Sequence, residues 1–156
     1  MNIQPFEKFH KEWALVSAGN EDNFNTMTVS WGTMGTLWNK SIVTVFVKPC
    51  RYTYEYLNAN EYFTVSFFDN EYKKDLGILG TKSKRDCDKM ALTRLHAKGI
   101  ENGIDFEEAK CTILCKKIYF QDLDLAQIPE DAVQKYYLEE APHRMYIGEV
   151  VEIIER

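Results

Sequence analysis

Apolar and polar residues alternate, or run together, over six stretches of this chain. They are Trp13 to Gly19 (WALVSAG), Met27 to Trp31 (MTVSW), Ser41 to Lys48 (SIVTVFVK), Tyr62 to Phe68 (YFTVSFF), Ala109 to Phe120 (AKCTILCKKIYF) and His143 to Ile154 (HRMYIGEVVEII). A period of two puts successive side chains on opposite faces of a strand, and the stretches are rich in β-branched and aromatic residues. The connections between them are short. The pattern predicts a mainly β, β-dominated α+β fold: an antiparallel barrel or sandwich with a few short helices. Ser41 to Lys48 is apolar on both faces and has to be covered on both. Few helices are available for that, so a second copy of the chain is expected to cover part of the surface, as a homodimer.

Helical spacing and capping signals mark four further segments. Arg51 to Asn60 offers Thr53 as an N-cap, and Asp69 to Gly80 opens on Asp69 or Asn70 and stops at a glycine. Ser83 to Leu95 carries Ser83 three residues before Asp86, close to a capping box. Ile128 to Ala141 has Pro129 near its start and reads equally well as an irregular excursion before the last strand. With 156 residues, no repeats and no linker-like tract, residues 1–156 are expected to form one domain.

Composition narrows the partners. The net charge is −5 and the pI about 5.3, which argues against a nucleic-acid binder, since that class carries a basic footprint. No apolar run approaches the roughly 18 residues that span a bilayer, and the N-terminal stretch lacks a signal-peptide core. The expected location is therefore the cytoplasm, with no membrane partner. Cys50, Cys87, Cys111 and Cys115 are expected to be reduced, buried core residues. Cys111 and Cys115 would lie on one face of a strand about 13 Å apart, beyond disulfide reach.

Candidate chemistry gathers at three places. In NFNTMTVSWG (Asn23 to Gly32) the hydroxyls of Thr28 and Ser30 alternate with Met27, Val29 and Trp31. That polar side either faces solvent or is built to hold something. In KPCRYTYEYL, Pro49 stops a strand and places Arg51 and Thr53 at a helix mouth, where free N–H groups and the helix dipole favour an anion such as phosphate. Lys48 could add charge there; alone, the same residues also read as a cap and a solvated arginine. GTKSKRDCDK (Gly80 to Lys89) is a second anion-friendly junction without the glycine spacing of a P-loop, and reads equally as a solvated charged loop. His143, beside Arg144, opens the last strand, while His10 and His96 stand apart. No nucleophile–base pair and no metal-ligand cluster stands out. The sequence offers anion-binding loops rather than a nucleophile, which suits a phosphorylated cofactor that brings its own reactive atoms.

In order and separation, NTMTVSW, RYTYEYL, GTKSKRDCDK and HRMYIGEV resemble the flavin reductase-like family of FMN-binding split barrels, from about Trp13 to the end. The flavoredoxin-like branch, in which FMN stays bound to a homodimer, is the most similar. The resemblance implies a six-stranded antiparallel Greek-key split β-barrel with FMN near the dimer interface. It implies that Asn25, Thr26, Met27 and Thr28 line the flavin ring through backbone groups, and that Ser30 and Trp31 border the ribityl chain and phosphate. Arg51, Tyr52 and Thr53 would hold the phosphate, and Lys82, Ser83 and Lys84 would close over it. His143 would lie where a nicotinamide approaches, in a guiding or proton-delivering role. The implied function is an oxidoreductase that accepts hydride from NADH or NADPH and passes electrons onward. The alternative is a non-enzymatic FMN-binding electron carrier reduced by a redox protein partner. Two departures stand out. Ser83-Lys84-Arg85-Asp86 replaces the usual Ser-Gly-Arg-Asp, with Lys84 expected to compensate by charge. WNKSI stands where fast two-component reductases carry Pro-Pro, which favours a bound flavin over a diffusing one.

Overall fold

The computed structural model describes residues 5–156, so the first four residues of the expected domain and of the N-terminal stretch lie outside the described residues. The alternating stretches form β1 (Ala14–Asn20), β2 (Asn23–Val29), β4 (Lys40–Val47), β5 (Tyr62–Phe67), β8 (Cys111–Asp122) and β9 (Arg144–Glu155). Three strands join them: β3 (Gly32–Leu37) and the short pair β6 (Ala97–Ile100) and β7 (Gly103–Phe106). The expected six strands are thus nine among the described residues. The family-type antiparallel, mostly β fold stands, with a larger count. β3 reads GTMGTL and puts only Met34 against the core, so its apolar period is invisible. β6 and β7 have four residues each and turn at Asn102, whose φ is +65°.

Seven strands make one antiparallel sheet in the order β2-β1-β5-β8-β9-β4-β3, and β6 pairs with β7 separately. β2 and β3 stand at opposite ends of that order, yet only Ser30 and Trp31 separate them in the chain. The sheet therefore curls until its two ends meet at a seam. Its inner face closes on Val16, Val45, Phe63, Val65, Ile113 and Tyr146, all 4% exposed or less. β8 carries register shifts at Leu114/Cys115 and Lys117/Tyr119, which let the two longest strands bend around this core.

A second core lies on the outside of β1, where Leu15 meets Phe68, Leu76, Leu79, Ile104 and Phe106. Helix α3 (Lys73–Thr81) and the β6–β7 hairpin supply that layer. α3 follows a single 3₁₀ turn at Asn70–Tyr72 and runs one residue past Gly80. The N-terminal helical turn α1 (Pro5–Glu7) leads into a wide turn at Lys8–Glu12, whose Phe9 enters the inner core. Helix α2 spans Tyr52–Ala59 and α4 spans Glu130–Tyr136.

Two helix expectations change. The N-cap of α2 is Arg51; Thr53 lies in the first turn, buried, where its hydroxyl accepts from Asn25 Nδ2 at 3.0 Å. Ser83 to Leu95 forms no α-helix, only turns and a 3₁₀ turn at Met90–Leu92. The Ser83 hydroxyl accepts from the N–H of Arg85, two residues on, a local turn that competes with a helix start. Lys84 and Arg85 are then drawn outward to α2 while Lys89 turns inward. The cysteine expectation holds for Cys111 and Cys115, where burial pushes the Cys115 thiol up to about 12. It fails for Cys50, which is exposed, and for Cys87, which is half-exposed.

Candidate functional site

Along β2 the question of the polar side resolves. Met27 and Val29 enter the inner core, and the hydroxyls opposite them face protein rather than water. The Thr26 hydroxyl donates to the Val16 carbonyl at 3.1 Å and accepts from Ser17 at 2.8 Å. The Thr28 hydroxyl donates to the Leu76 carbonyl of α3 at 2.5 Å. Because β2 ends the sheet order, alternate backbone N–H and C=O groups along its outer edge have no ladder partner. That edge faces two adjoining cavities.

The first cavity, of about 300 Å³, lies between the β2–β3 seam and the segment after α4, with Thr28, Ser30, Trp31, Lys48, Arg51 and His143 among its walls. Trp31 is 40% exposed and carries Tyr136 at 5.1 Å and His143 at 5.0 Å, ring centre to ring centre. His143 is buried and pairs through Nδ1 with the Tyr137 hydroxyl at 2.7 Å. Burial, helped by the Lys48 charge and opposed by Glu140, lowers its pKa to about 4, so the ring is neutral at pH 7. Lys48 bonds the Tyr136 carbonyl at 3.1 Å and pairs with Glu140. It therefore serves this cavity, not the helix mouth.

The second cavity, of about 200 Å³, adjoins the first through Met27, Cys50 and Arg51. Asn25, Tyr52, Thr53, Lys82 and Ser83 line it too. Arg51 reaches from the α2 mouth to the Gly80 carbonyl at 2.7 Å, which ties α2 to the end of α3. Lys89 completes the wall, although sequence reasoning placed it in a surface helix. It is 4% exposed, its ammonium reaches only the Leu79 and Lys82 carbonyls, both at 3.4 Å, and no carboxylate pairs with it among the described residues. Burial first, then the Arg51 charge, lowers its pKa to about 8. The cavity walls hold Arg51, Lys82 and Lys89 and no carboxylate.

Two expected residues stay out of these cavities. Thr26 faces β1, as described. Lys84 lies over Tyr56 and donates to the Phe24 carbonyl at 2.7 Å, so it does not add its charge to the anion end. The glycine usual at its place is not needed either, since residue 84 is absent from the positive-φ positions of the described chain. Arg85 pairs with Glu55 at 2.6 Å and stacks on Tyr52 at 4.5 Å. Residues 82–89 are thereby clasped onto α2 and β2. Elsewhere, His96, Glu107 and Glu108 bring ligand atoms within 4.8 Å of one another, a grouping the sequence reading did not see. Glu108 holds the His96 pKa above its ordinary value, as an exposed ion pair does.

No helix among the described residues is long and apolar enough to cross a membrane. No curated protein matches the chain in sequence. Solved structures do match in fold. A flavoredoxin from Methanosarcina acetivorans superposes with a TM-score of 0.72 at 17% identity, over 93% of this chain and 68% of that one. An FMN-binding protein from Thermus thermophilus, with bound p-hydroxybenzaldehyde, gives 0.73 at 20% identity, over 95% and 75%. A Streptomyces globisporus NADH:FAD oxidoreductase gives 0.69 at 16% identity, over 93% and 74%. Residues 6–156 match the family described as "Flavin reductase like domain". With nearly its whole length matched and a curled antiparallel sheet of the split-barrel type, the chain belongs to the flavin reductase-like family.

Proposed function

We propose that this protein binds FMN and works as an oxidoreductase of the flavin reductase type. The observation that carries the reading is the cationic, carboxylate-free cavity set against the unpaired edge of β2. Arg51, Lys82, Ser83 and Lys89 suit a phosphate, which needs charge and several donors at once. The β2 edge offers backbone donors and acceptors for the polar rim of a flat ring, and Met27 and Trp31 offer apolar surface beside it. The two cavities together match the span of about 300–1,000 Å³ usual for small-ligand sites.

Bound flavin would supply the redox chemistry, taking electrons from NADH or NADPH and passing them to an acceptor. The chain's own part is positioning. N–H groups of β2 would stabilise negative charge on the ring's polar edge, as oriented dipoles do for developing anions. A neutral His143 stacked on Trp31 would shape the approach of a second ring and exclude water. No acid or base of the chain has to act, so geometry carries the rate. A homodimer fits the same reading. The outer face of β4 and β9 shows half-buried Ile42, Phe46, Met145 and Ile147, next to Tyr119, which is 39% exposed.

Arg51→Ala should weaken FMN by about 10- to 100-fold, the worth of a charged hydrogen bond, and leave riboflavin nearly unchanged. Equal losses for both would assign Arg51 to the fold alone. Anaerobic stopped-flow mixing of the FMN-loaded protein with NADH and with NADPH tests the donor. Flavin bleaching within seconds supports the enzyme; flavin left oxidised for minutes with both favours the carrier, reduced by a protein.

A further inference from the structure

Lys89 is the most anomalous group in the chain. A lysine is almost never fully buried unless paired, yet this ammonium has two long contacts to carbonyls and no counter-charge. The charges around it worsen matters. Arg51 approaches from the mouth of α2, and Lys82 and Lys84 from the loop that follows α3. Cys87 of the same loop favours its charged form, and Asp88, next in sequence, accepts instead from the N–H of Ala91. α3 contributes only the Leu79 carbonyl, and β2 only the uncharged Asn25, Thr26 and Met27 beside it.

We propose that Lys89 is a proton-coupled anion ligand: a phosphomonoester entering the second cavity supplies its missing counter-charge, and loading the cavity takes up a proton there. The inference rests on the FMN reading above and specifies how that site is filled. In the empty cavity the ammonium is desolvated and faces other cations, so it gives up its proton in mildly alkaline solution; burial lowers its pKa to about 8. A dianion within bonding distance reverses that balance. Phosphomonoesters lose their second proton near pH ~6, so between about pH 7 and 9 the ligand's own charge is constant and Lys89 is the group that responds. Charge has been kept here at the expense of stability, as functional sites commonly do.

The test is a titration of the flavin-stripped full chain with FMN and with riboflavin from pH 7 to 9.5, followed by flavin fluorescence. Riboflavin shares the ring and its ionisation, so the ratio of the two affinities isolates the phosphate end. The ratio should fall above pH 8 towards roughly ten-fold per pH unit, the limit for one linked proton. Calorimetry at pH 8, in buffers of different ionisation heat, should show about half a proton taken up per FMN. Lys89→Met should flatten the profile and weaken FMN about 10- to 100-fold at pH 7, and the unliganded variant should melt no lower than the parent, since a buried unpaired charge is gone. Lys89→Arg, charged throughout, should keep a flat profile. If Lys89→Met keeps the parent's affinity and slope, the proposal is overturned. If the parent prefers FMN but its ratio does not change with pH, the proton coupling is wrong and the phosphate site stands. If riboflavin and FMN bind the parent equally at every pH, the FMN reading itself fails.

Discussion

His143 shows how much a single side chain's neighbours decide. Its ring lies between Trp31 and Tyr137, and burial with Lys48 nearby holds its pKa near 4. The unfolded chain binds a proton at this residue below about pH 6.5 while the folded chain does not. Folding therefore loses stability as the pH falls from 6.5 to 4, by at most about 3 kcal/mol. Thermal melts across that range should show an acid limb that His143→Gln makes shallower; an unchanged limb would assign it to the carboxylates. The same neutral ring cannot donate a proton efficiently at pH 7, which favours the guiding role over the proton-delivering one. The site was partly legible at this scale. Arg51, Thr53, Ser83 and His143 were readable because arginine, hydroxyl and histidine residues at strand and helix ends signal their chemistry. Lys89 was not. One more lysine in SKRDCDK looks solvated, and only the fold shows that Lys84 and Arg85 turn out to Tyr56 and Glu55 while Lys89 turns in.

Among the elements, α3 does more than cover a core. It receives the Thr28 hydroxyl on Leu76, holds Arg51 through Gly80, and touches Lys89 through Leu79. Its own anchor is Asp75, whose buried carboxylate takes the Arg94 guanidinium at 2.7 and 3.1 Å and the Arg94 N–H at 3.0 Å. Burial alone would raise the Asp75 pKa, but these bonds outweigh it and lower it. Arg94→Ala would leave that carboxylate buried and unpaired, at a cost of about 3 kcal/mol. The melting temperature should fall and FMN affinity should fall with it, whereas a stability loss with unchanged FMN binding would separate the anchor from the site. The strong strands were legible because their period of two is set by burial on one face. β3 was hidden by its Gly–Thr sequence, and the 83–95 segment deceived because helix signals there serve local turns.

For the whole molecule, curling brings the ends of the sheet together and leaves the outer face of β4 and β9 without a covering helix among the described residues. β4 itself is less exposed than its sequence suggests, since Val43, Val45 and Val47 fill the inner core and Thr44 is 4% exposed. The remaining surface, with Phe46 and Ile147, still fits a second copy. Light scattering at micromolar concentration should give twice the mass of one chain, and Ile147→Lys should shift it towards one; a single-chain mass for the parent would remove the dimer from the proposal. Partner coverage of this kind is only weakly legible in a sequence, because a two-sided apolar strand says that it must be covered and not by what.

The two-residue seam between β2 and β3 has a mechanical consequence. Three Cα–Cα steps separate Val29 from Gly32, so the ends of the sheet are tethered within about 11 Å of each other. The groove cannot gape open like a hinge along that wall. Traffic in and out falls to its unstrapped margins, the clasp of residues 82–89 on α2 and the segment carrying Glu140 and His143. The rate at which the site exchanges its occupant is then set by how often Arg85 lets go of Glu55, or Lys48 of Glu140, rather than by any breathing of the barrel.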